Sequence, residues 1–471
     1  MTTKEFNEKY GLKIKNSSPE LFQRVPNSQK NFVNIAGKPK KLPIEIAKRF
    51  FKNPSTVFFT IIFLVVLLTS IFVTLYSKYD SNNSISKSIY YKIPQWDPVT
   101  NQFLRDEHGN LITKSILGTP KTINLPPSYN VWVKKEVFFS TQTEYSEFLR
   151  EIKEQYYGGY IFNQIIKPVG VQGSAIKIVP ITIIDASGVT REAKEVYIDS
   201  YKFYEAYNVL TLLSNSKVPF STSQDQTALI VREIQNLNPQ NPNLQPWSIL
   251  GTNNVGVDIW TSSWIGTWNA IRLALIVATI QTIIGVAVGS YLGFHAGSLV
   301  DTIIMRLIEI FEAPPSLIWL LLFASTFGTS DLTLILALVF TGWTGSVGGT
   351  RLFIITVKDS EFITASKSVG ASKLRLIYRH ALPAIIGKIA NSYVARIPGI
   401  ILSVSSLAFL GFFKGDNANL GALLSSAVSQ AGNNFWILLL PSLILLSISV
   451  SLHFMAIGIH DALDPRVIKV K

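Results

Sequence analysis

The 471-residue sequence contains no cysteine. Disulfides, thiolate metal sites and cysteine nucleophiles are excluded at once. Charge is scarce as well. Asp, Glu, Lys and Arg make up 15% of residues, against about 25% in an average soluble domain. No G-x-x-x-x-G-K-[ST] segment occurs, so no phosphate loop of that type cradles a nucleotide. The nearest run, Val347-Gly348-Gly349-Thr350, lacks the lysine. The apolar segments hold no cluster of His or carboxylates suited to a metal. In the polar stretch 78–265 the only histidine is His108, beside Gly109 and Asn110, where a solvated turn is the ordinary outcome.

What the chain has instead is apolar length. Hydrophobic residues are 48%, and mean hydropathy is +0.29. Net charge is +13. Its basic excess lies beside apolar runs, where lipid headgroups attract it, so membrane lipids and not nucleic acid are the expected partners. The first run, 57–76, is 20 residues without a charge, enough to cross a hydrocarbon core of about 30 Å. It lies too far from the N-terminus for a cleavable signal and is expected to stay as an anchor. Lys38, Lys40, Lys41, Lys48, Arg49 and Lys52 precede it, which places the N-terminus in the cytoplasm. Five more runs follow at about 272–294, 303–327, 332–355, 385–410 and 435–459. Gly285, Gly289 and Gly293 share one helix face in the second, where a partner helix can approach closely. Pro314 and Pro315 predict a kink in the third. With six spans, the segment 351–388 is cytoplasmic, with Arg351, Lys358, Lys367, Lys373, Arg375, Arg379 and Lys388. The short outer loops carry only Lys414, and Arg466, Lys469 and Lys471 end the chain on the inner side.

Between the first two spans the composition turns polar and rich in Tyr, Asn and Pro. The stretch 78–265 carries 17 Lys+Arg and 17 Asp+Glu. That near-neutrality fits an exported loop, and the length suffices for a core of its own. Runs 131–139 and 175–184 read as strands, and 144–157, 199–213 and 227–237 as helices. A linker, 236–246, returns the chain to the membrane. The expected fold is an all-α polytopic membrane bundle of six transmembrane helices with a large extracytoplasmic α+β insert between helices 1 and 2. The expected organisation is a cytoplasmic basic segment 1–53, helix 1 at 54–77, the insert 78–265, a five-helix core 266–460 and a cytoplasmic tail 461–471.

The segment 359–385 reads DSEFITASKSVGASKLRLIYRHALPAI. Phe362, Ala365, Ser366 and Val369 fall on one face of a short amphipathic helix. Gly370 then lets the chain turn, and a basic second helix is expected to end at Leu382-Pro383. A helix–Gly–helix hairpin beneath the membrane is a docking knob for a soluble partner.

This pattern resembles the coupling loop of ABC importer permeases, Glu-Ala-Ala, three residues, Gly, then about eleven residues to Leu-Pro. Thr364-Ala365-Ser366 stand at the triplet, with Gly370, Ala371, Leu382 and Pro383 following. The triplet's Glu is replaced, and Glu361, one turn earlier, is the candidate substitute. The run 285–306 (GVAVGSYLGFHAGSLVDTIIMR) resembles the dipeptide/oligopeptide subfamily without a gap, with Asp301 and Arg306 on its pattern. So do Gly251 to Asp258 (GTNNVGVD), Ser406 to Gly411 (SLAFLG) and the C-terminal AIGIHDALDPR, where Gly458, Asp461 and Asp464-Pro465-Arg466 match. Asn253, Val257, Val404 and His460 stand where the subfamily carries other residues.

The resemblance is to the C-type permease subunit of oligopeptide importers, and it implies a type I-like importer fold and a cell-membrane, multi-pass protein. It implies no enzyme activity and no cofactor of the chain's own, with ATP used by partner subunits. The implied partners are a second, OppB-like permease, two OppD/OppF-like ATPases and an OppA-like external substrate-binding protein. A nickel or other small-solute permease of the same family is the alternative. A proton-coupled secondary transporter and a membrane receptor are further rivals, though no internal repeat supports the former. Charges within spans are candidates for the translocation pathway. Arg396 is placed to meet a peptide carboxylate or backbone, or else to snorkel or pair with another helix. Glu312, beside the proline pair, is a candidate pathway or gate residue. Arg306 and Glu309, three apart, are expected to pair on one helix.

Overall fold

A computed structural model describes residues 42–85, 90–117, 124–139, 142–155, 161–184, 187–216, 224–238, 247–412, 419–432 and 434–463. Lys38, Lys40, Lys41, most of the expected linker, Lys414, and Asp464 to the C-terminal Lys471 lie outside the described residues. The chain divides into Met1–Arg49 and Phe50–Lys471. The described start is a helix, α1 (Leu42–Phe50), with Lys48 and Arg49 in its last turn, where a helix end favours cations.

Among the described residues, five helices are long and apolar enough to cross a membrane. They are α2 (Pro54–Tyr76), α6 (Ile259–Phe294), α9 (Asp331–Ile355), the run Lys373–Phe409 and α14 (Trp436–Leu463). A bent pair, α7 (Leu299–Glu312) and α8 (Ser316–Phe327), turns through 70° and brings the count to six if read as one span. The proline pair therefore does more than kink the third run; it splits it. Pro315 has no N–H to continue the ladder and sits at the N-cap of α8. Aromatic packing holds the corner, with Phe311 of α7 stacked on Trp319 of α8 at 5.7 Å between centroids.

The second span begins earlier than the charge at Arg272 suggests. Arg272 bonds Asp331 at 2.6 Å, so its charge is paired within the helical frame instead of ending the helix. α6 starts at Ile259, ahead of the boundary expected at 265, with Asp258 as N-cap. A further helix absent from the sequence reading, α13 (Leu420–Gln430), lies between the last two spans. Its Gly421 backs directly onto the backbone of Ser405, leaving no space for a Cβ.

α6 is the axis of the bundle, and α9 is its most extensive partner. A Cβ on Gly285 would run into Ser346, and one on Gly289 or Gly293 would lie 2.5 and 2.7 Å from the Val347 carbonyl and the Arg351 carbonyl. The glycine stripe thus sets how near the two backbones come, as its four-residue spacing predicts. At one end of this seam buried Asp301 takes both prongs of the Arg351 guanidinium, at 2.6 and 2.7 Å, and accepts from the Gly297 N–H at 3.0 Å. Gly458 of α14 meets Thr56 of α2 in a similarly close approach.

The insert is α+β, with a core separate from that of the bundle. Two short pairings come first, β1 (Tyr90–Pro94) with β4 (Thr113–Leu117) and β2 (Trp96–Asp97) with β3 (Gln102–Phe103), all antiparallel. His108 sits in a turn, its N–H on the Asp106 carboxylate and Gly109 at φ +81°. The main sheet is antiparallel β5 (Trp132–Phe139), β7 (Thr190–Asp199) and β6 (Ile176–Ile184), with β7 central. β7 is absent from the sequence reading because TREAKEVYID is half charged. The helices α3 (Gln142–Gln155), α4 (Ser200–Ser216) and α5 (Gln224–Leu237) fall where the sequence predicts them. Phe148, Ile152, Ile166, Val196, Val209 and Ile234 join them in one core.

Candidate functional site

Three places carry the chemistry and mechanics: a hairpin after α9, a polar cavity between helices, and the joint between insert and bundle. The hairpin starts at α10 (Glu361–Ser368), which ends in a Schellman cap. Ala371 N–H donates to the Ser366 carbonyl at 3.2 Å and Gly370 N–H to that of Lys367 at 3.0 Å. Gly370 takes φ +88°, a conformation costing a side-chain-bearing residue about 1–2 kcal/mol. The chain resumes in α11 (Lys373–Arg375), passes through a π-helical turn (Leu376–Ala381) and enters α12 (Leu382–Phe409) without a break. The second helix of the hairpin therefore does not end at Leu382-Pro383. Pro383 lacks the N–H that would bond Arg379, and the wide turn just before it absorbs the defect. The hairpin is continuous with a membrane-length helix.

Its base is wedged in place. Ile363, Leu376, Ala381 and Ile385 are buried with Ile354 of α9, while Ala371 and Leu382 pack against them half-buried. Tyr378 Oη donates to the Ala287 carbonyl of α6 at 3.2 Å. The expected apolar face of α10 points the other way. Phe362 is 46% exposed and Val369 90%, whereas Ile363 is 2% exposed and serves as the anchor. Leu374 adds another exposed apolar side chain at 62%. Glu361, Thr364, Ala365, Gly370 and Pro383 are exposed, and Ser366 is half-buried. Of the eight residues singled out from the sequence, Glu361, Thr364, Ala365, Ser366, Gly370 and Ala371 thus lie in α10 and its turn, while Leu382 and Pro383 open α12. The anchors Ile363, Leu376 and Ile377 were missed, because burial is decided by α6 and α9, not by local spacing.

Arg396 lies midway along α12 and is half-buried. Its Nη1 donates to Ser346 Oγ of α9. Both line a cavity of about 80 Å³ with Thr282 of α6, Gly345, Gly349, Thr350 and Phe353 of α9, and Ile389 and Ser392 of α12. Only Arg396 was singled out from the sequence; Ser392, one helical turn before it on the same face, was the signal that could have found the rest of the group. Glu312 is not part of it; it ends α7 exposed at the proline corner. Arg306 and Glu309 pair on α7 at 2.6 Å, as their spacing predicts.

The joint is built from Gly251 to Asp258. Asp258, 3% exposed, accepts from Thr261 N–H at 2.7 Å and from Ser248 Oγ. Burial pushes its carboxyl above the usual range, against the lowering effect of those bonds. Thr252 ties to Leu125 twice, Oγ1 accepting at 2.8 Å and N–H donating at 2.9 Å. Asn254 N–H donates to Gln430 of α13 at 2.9 Å, and Asn434 donates to the Leu250 carbonyl at 2.8 Å. Asn253 caps its own turn, accepting from Val255 and Val257. Among the described residues no group of three or more His, Cys, Asp or Glu could hold a metal.

Residues 285–469 match the family described as "Binding-protein-dependent transport system inner membrane component". The oligopeptide transport system permease protein OppC of Mycoplasma pneumoniae is 41% identical over 230 residues, 47% of this chain and 60% of that protein. OppC of Mycoplasma genitalium is 36% identical over 267 residues, 55% of this chain and 68% of that protein. The match to the first relative thus spans less than two thirds of its length. A chain of the inward-facing MetNI methionine ABC transporter covers 42% of this chain and 94% of its own length, at 16% identity and a TM-score of 0.37, too low to support an argument. With the glycine seam, the capped hairpin and the Asp301 site all inside or beside the matched region, the chain belongs to the binding-protein-dependent transport inner-membrane component family.

Proposed function

We propose that this chain is a permease subunit of an ATP-driven ABC importer for oligopeptides, forming half of the translocation pathway. The observation that carries the reading is the hairpin. It presents Phe362, Val369 and Leu374 to solvent from a base wedged against α6 and α9, and it runs unbroken into α12. An exposed apolar knob on a rigid stalk is what a grooved partner needs to move a membrane helix. The partner supplying motion is an ATPase, two copies or paralogues of which serve the complete assembly. Glu361, Thr364, Ala365, Ser366, Gly370, Ala371, Leu382 and Pro383 form the coupling element. A second permease completes the pathway, to which Arg396 and Glu312 contribute. The mycoplasma relatives' names, oligopeptide permeases, support the cargo.

The hairpin and both termini are cytoplasmic in this reading, and the insert is extracytoplasmic, where it guides an external binding protein onto the permease. The absence of cysteine makes sidedness directly testable. In a Ser368→Cys variant, a membrane-impermeant maleimide is expected to label only opened cells; labelling of intact cells would reverse the topology and remove the coupling role. Deleting 83–240 is expected to lower uptake while the bundle still inserts. Copurification with an ATPase, lost in a Phe362→Asp/Val369→Asp variant, is the direct test of the knob.

A further inference from the structure

We infer that the cavity between α6, α9 and α12 is a carboxylate station for cargo, in which Arg396 receives the terminal carboxylate of a peptide in transit. The inference rests on the import reading above and adds the chemistry of one site on its path. Four observations carry it.

The first is an unbalanced charge at depth. Arg396 is residue 15 of the 28 in α12, near the middle of a membrane-length helix. Such a cation is normally neutralised by a carboxylate on a neighbouring helix. Arg272 and Arg351 follow that rule, pairing with Asp331 and Asp301. Arg396 does not: among the described residues its hydrogen-bond partner is a neutral hydroxyl, Ser346. A guanidinium offers five donors in a planar fork that matches a carboxylate, and a single hydroxyl uses little of that capacity.

The second is the lining. Thr282, Ser346, Thr350 and Ser392 place hydroxyls from all three helices around the same space. Hydroxyls donate to an anion without adding charge. The third is an orphan. Among the described residues the buried Thr282 Oγ1 has no hydrogen-bond partner, though a buried hydroxyl is ordinarily satisfied. Along α9, Gly345 and Gly349 stand at the wall with nothing within 4 Å of where a Cβ would sit, so the wall is open at those positions. The fourth is size. A volume of about 80 Å³ holds several waters or one small group. It is too small for a peptide but large enough for the carboxylate end of one.

Ser346 then acts as a placeholder. It satisfies one guanidinium N–H while the station is empty and is displaced, or turned to donate, when a carboxylate arrives. The free carboxylate would gain a charge-assisted contact that an amide does not. Discrimination of about tenfold is the expected scale for one such interaction.

The test uses the complete importer reconstituted in vesicles with ATP inside. Uptake of one labelled peptide is compared in two forms, free acid and C-terminal amide, over a range of concentrations. Wild type is expected to favour the acid. Arg396→Gln is expected to collapse that preference about tenfold, by slowing acid uptake more than amide uptake; Arg396→Lys is expected to retain part of it. Any preference imposed by the binding protein is common to all three and cancels in the comparison. An acid-to-amide ratio unchanged by Arg396→Gln overturns the inference. If Arg396→Gln instead loses a copurifying anionic lipid while the ratio holds, the site belongs to a headgroup and the cargo assignment falls. Failure of wild type to import either form with ATP refutes the import reading itself, and that outcome differs from every result bearing on Arg396.

Discussion

Replacing Gly289 with alanine sets two effects against each other. In a helix interior alanine is intrinsically favoured over glycine by about 0.5–1 kcal/mol. At this position, however, the added carbon lies 2.5 Å from the Val347 carbonyl oxygen and 2.9 Å from Thr350 Cβ. The first contact is roughly 1 Å closer than van der Waals packing permits. The obstacle is backbone, so no side-chain rotation relieves it. α6 and α9 must separate along the seam, which also strips the contacts made at Gly285 and Gly293. Overpacking of this kind costs about 1–3 kcal/mol, and the rigid obstacle puts Gly289→Ala near the top of that range. A net loss of about 2 kcal/mol is expected after the helix preference is subtracted. Gly348 on α9 is the control, because nothing lies within 4 Å of its would-be Cβ. Gly348→Ala is expected to be neutral or slightly stabilising. The assay is the thermal unfolding midpoint of the full chain purified in detergent. If Gly289→Ala melts at or above the Gly348→Ala midpoint, the glycines do not set the helix separation and the argument fails.

On the proposed import reading, Gly370→Val forces a branched residue to φ +88°, and the resulting strain of about 1–2 kcal/mol is expected to lower uptake about tenfold; normal import would show the cap to be dispensable. Asp301→Asn leaves the part-buried Arg351 guanidinium without its counter-charge, and loss of a hydrogen-bonded charge partner there costs about 1–3 kcal/mol; a midpoint within a degree of wild type would contradict this. Lys134 and Tyr197 hold the Glu195 carboxyl below its usual value of 4.5. A carboxyl depressed on folding contributes stability above its unfolded pKa that is lost as pH falls through the folded value. The insert is therefore expected to weaken below about pH 4.5, with a shallower acid slope in Lys134→Met. Thr252→Ala and Asn434→Ala are expected to speed proteolytic cleavage of the insert from the bundle, and unchanged cleavage rates would show that the joint draws its stiffness elsewhere.

Features that depend on local spacing were legible from sequence. The glycine stripe of α6, the proline corner, the turn at Gly370 and the Arg306–Glu309 pair each follow from residues within a few turns of one another. Features that depend on distant partners were not. The π-helical turn arises because Pro383 removes a donor from a helix that tertiary contacts at Ile363 and Ala287 keep continuous. The motif Gly251 to Asp258 was recognised by resemblance, but its work is done through Leu125, Gln430 and Asn434, between 127 and 184 residues away in the bonds to Thr252, Asn254 and Leu250. The inward side of α10 was misjudged for the same reason: Phe362 and Ile363 are equally apolar, and only the neighbouring helices choose between them.

The stretch between α2 and α6 leaves and re-enters at nearly one point. Ser77 and Thr261 hydroxyls stand 3.1 Å apart, and Tyr79 Oη bonds the Trp247 carbonyl at 2.8 Å. A protein module whose two ends emerge side by side can be exchanged like a cartridge, because the flanking helices feel no change in span. A tight turn of a few residues, or a foreign domain with adjacent termini such as a fluorescent reporter, should fit the same socket without altering the helices beneath.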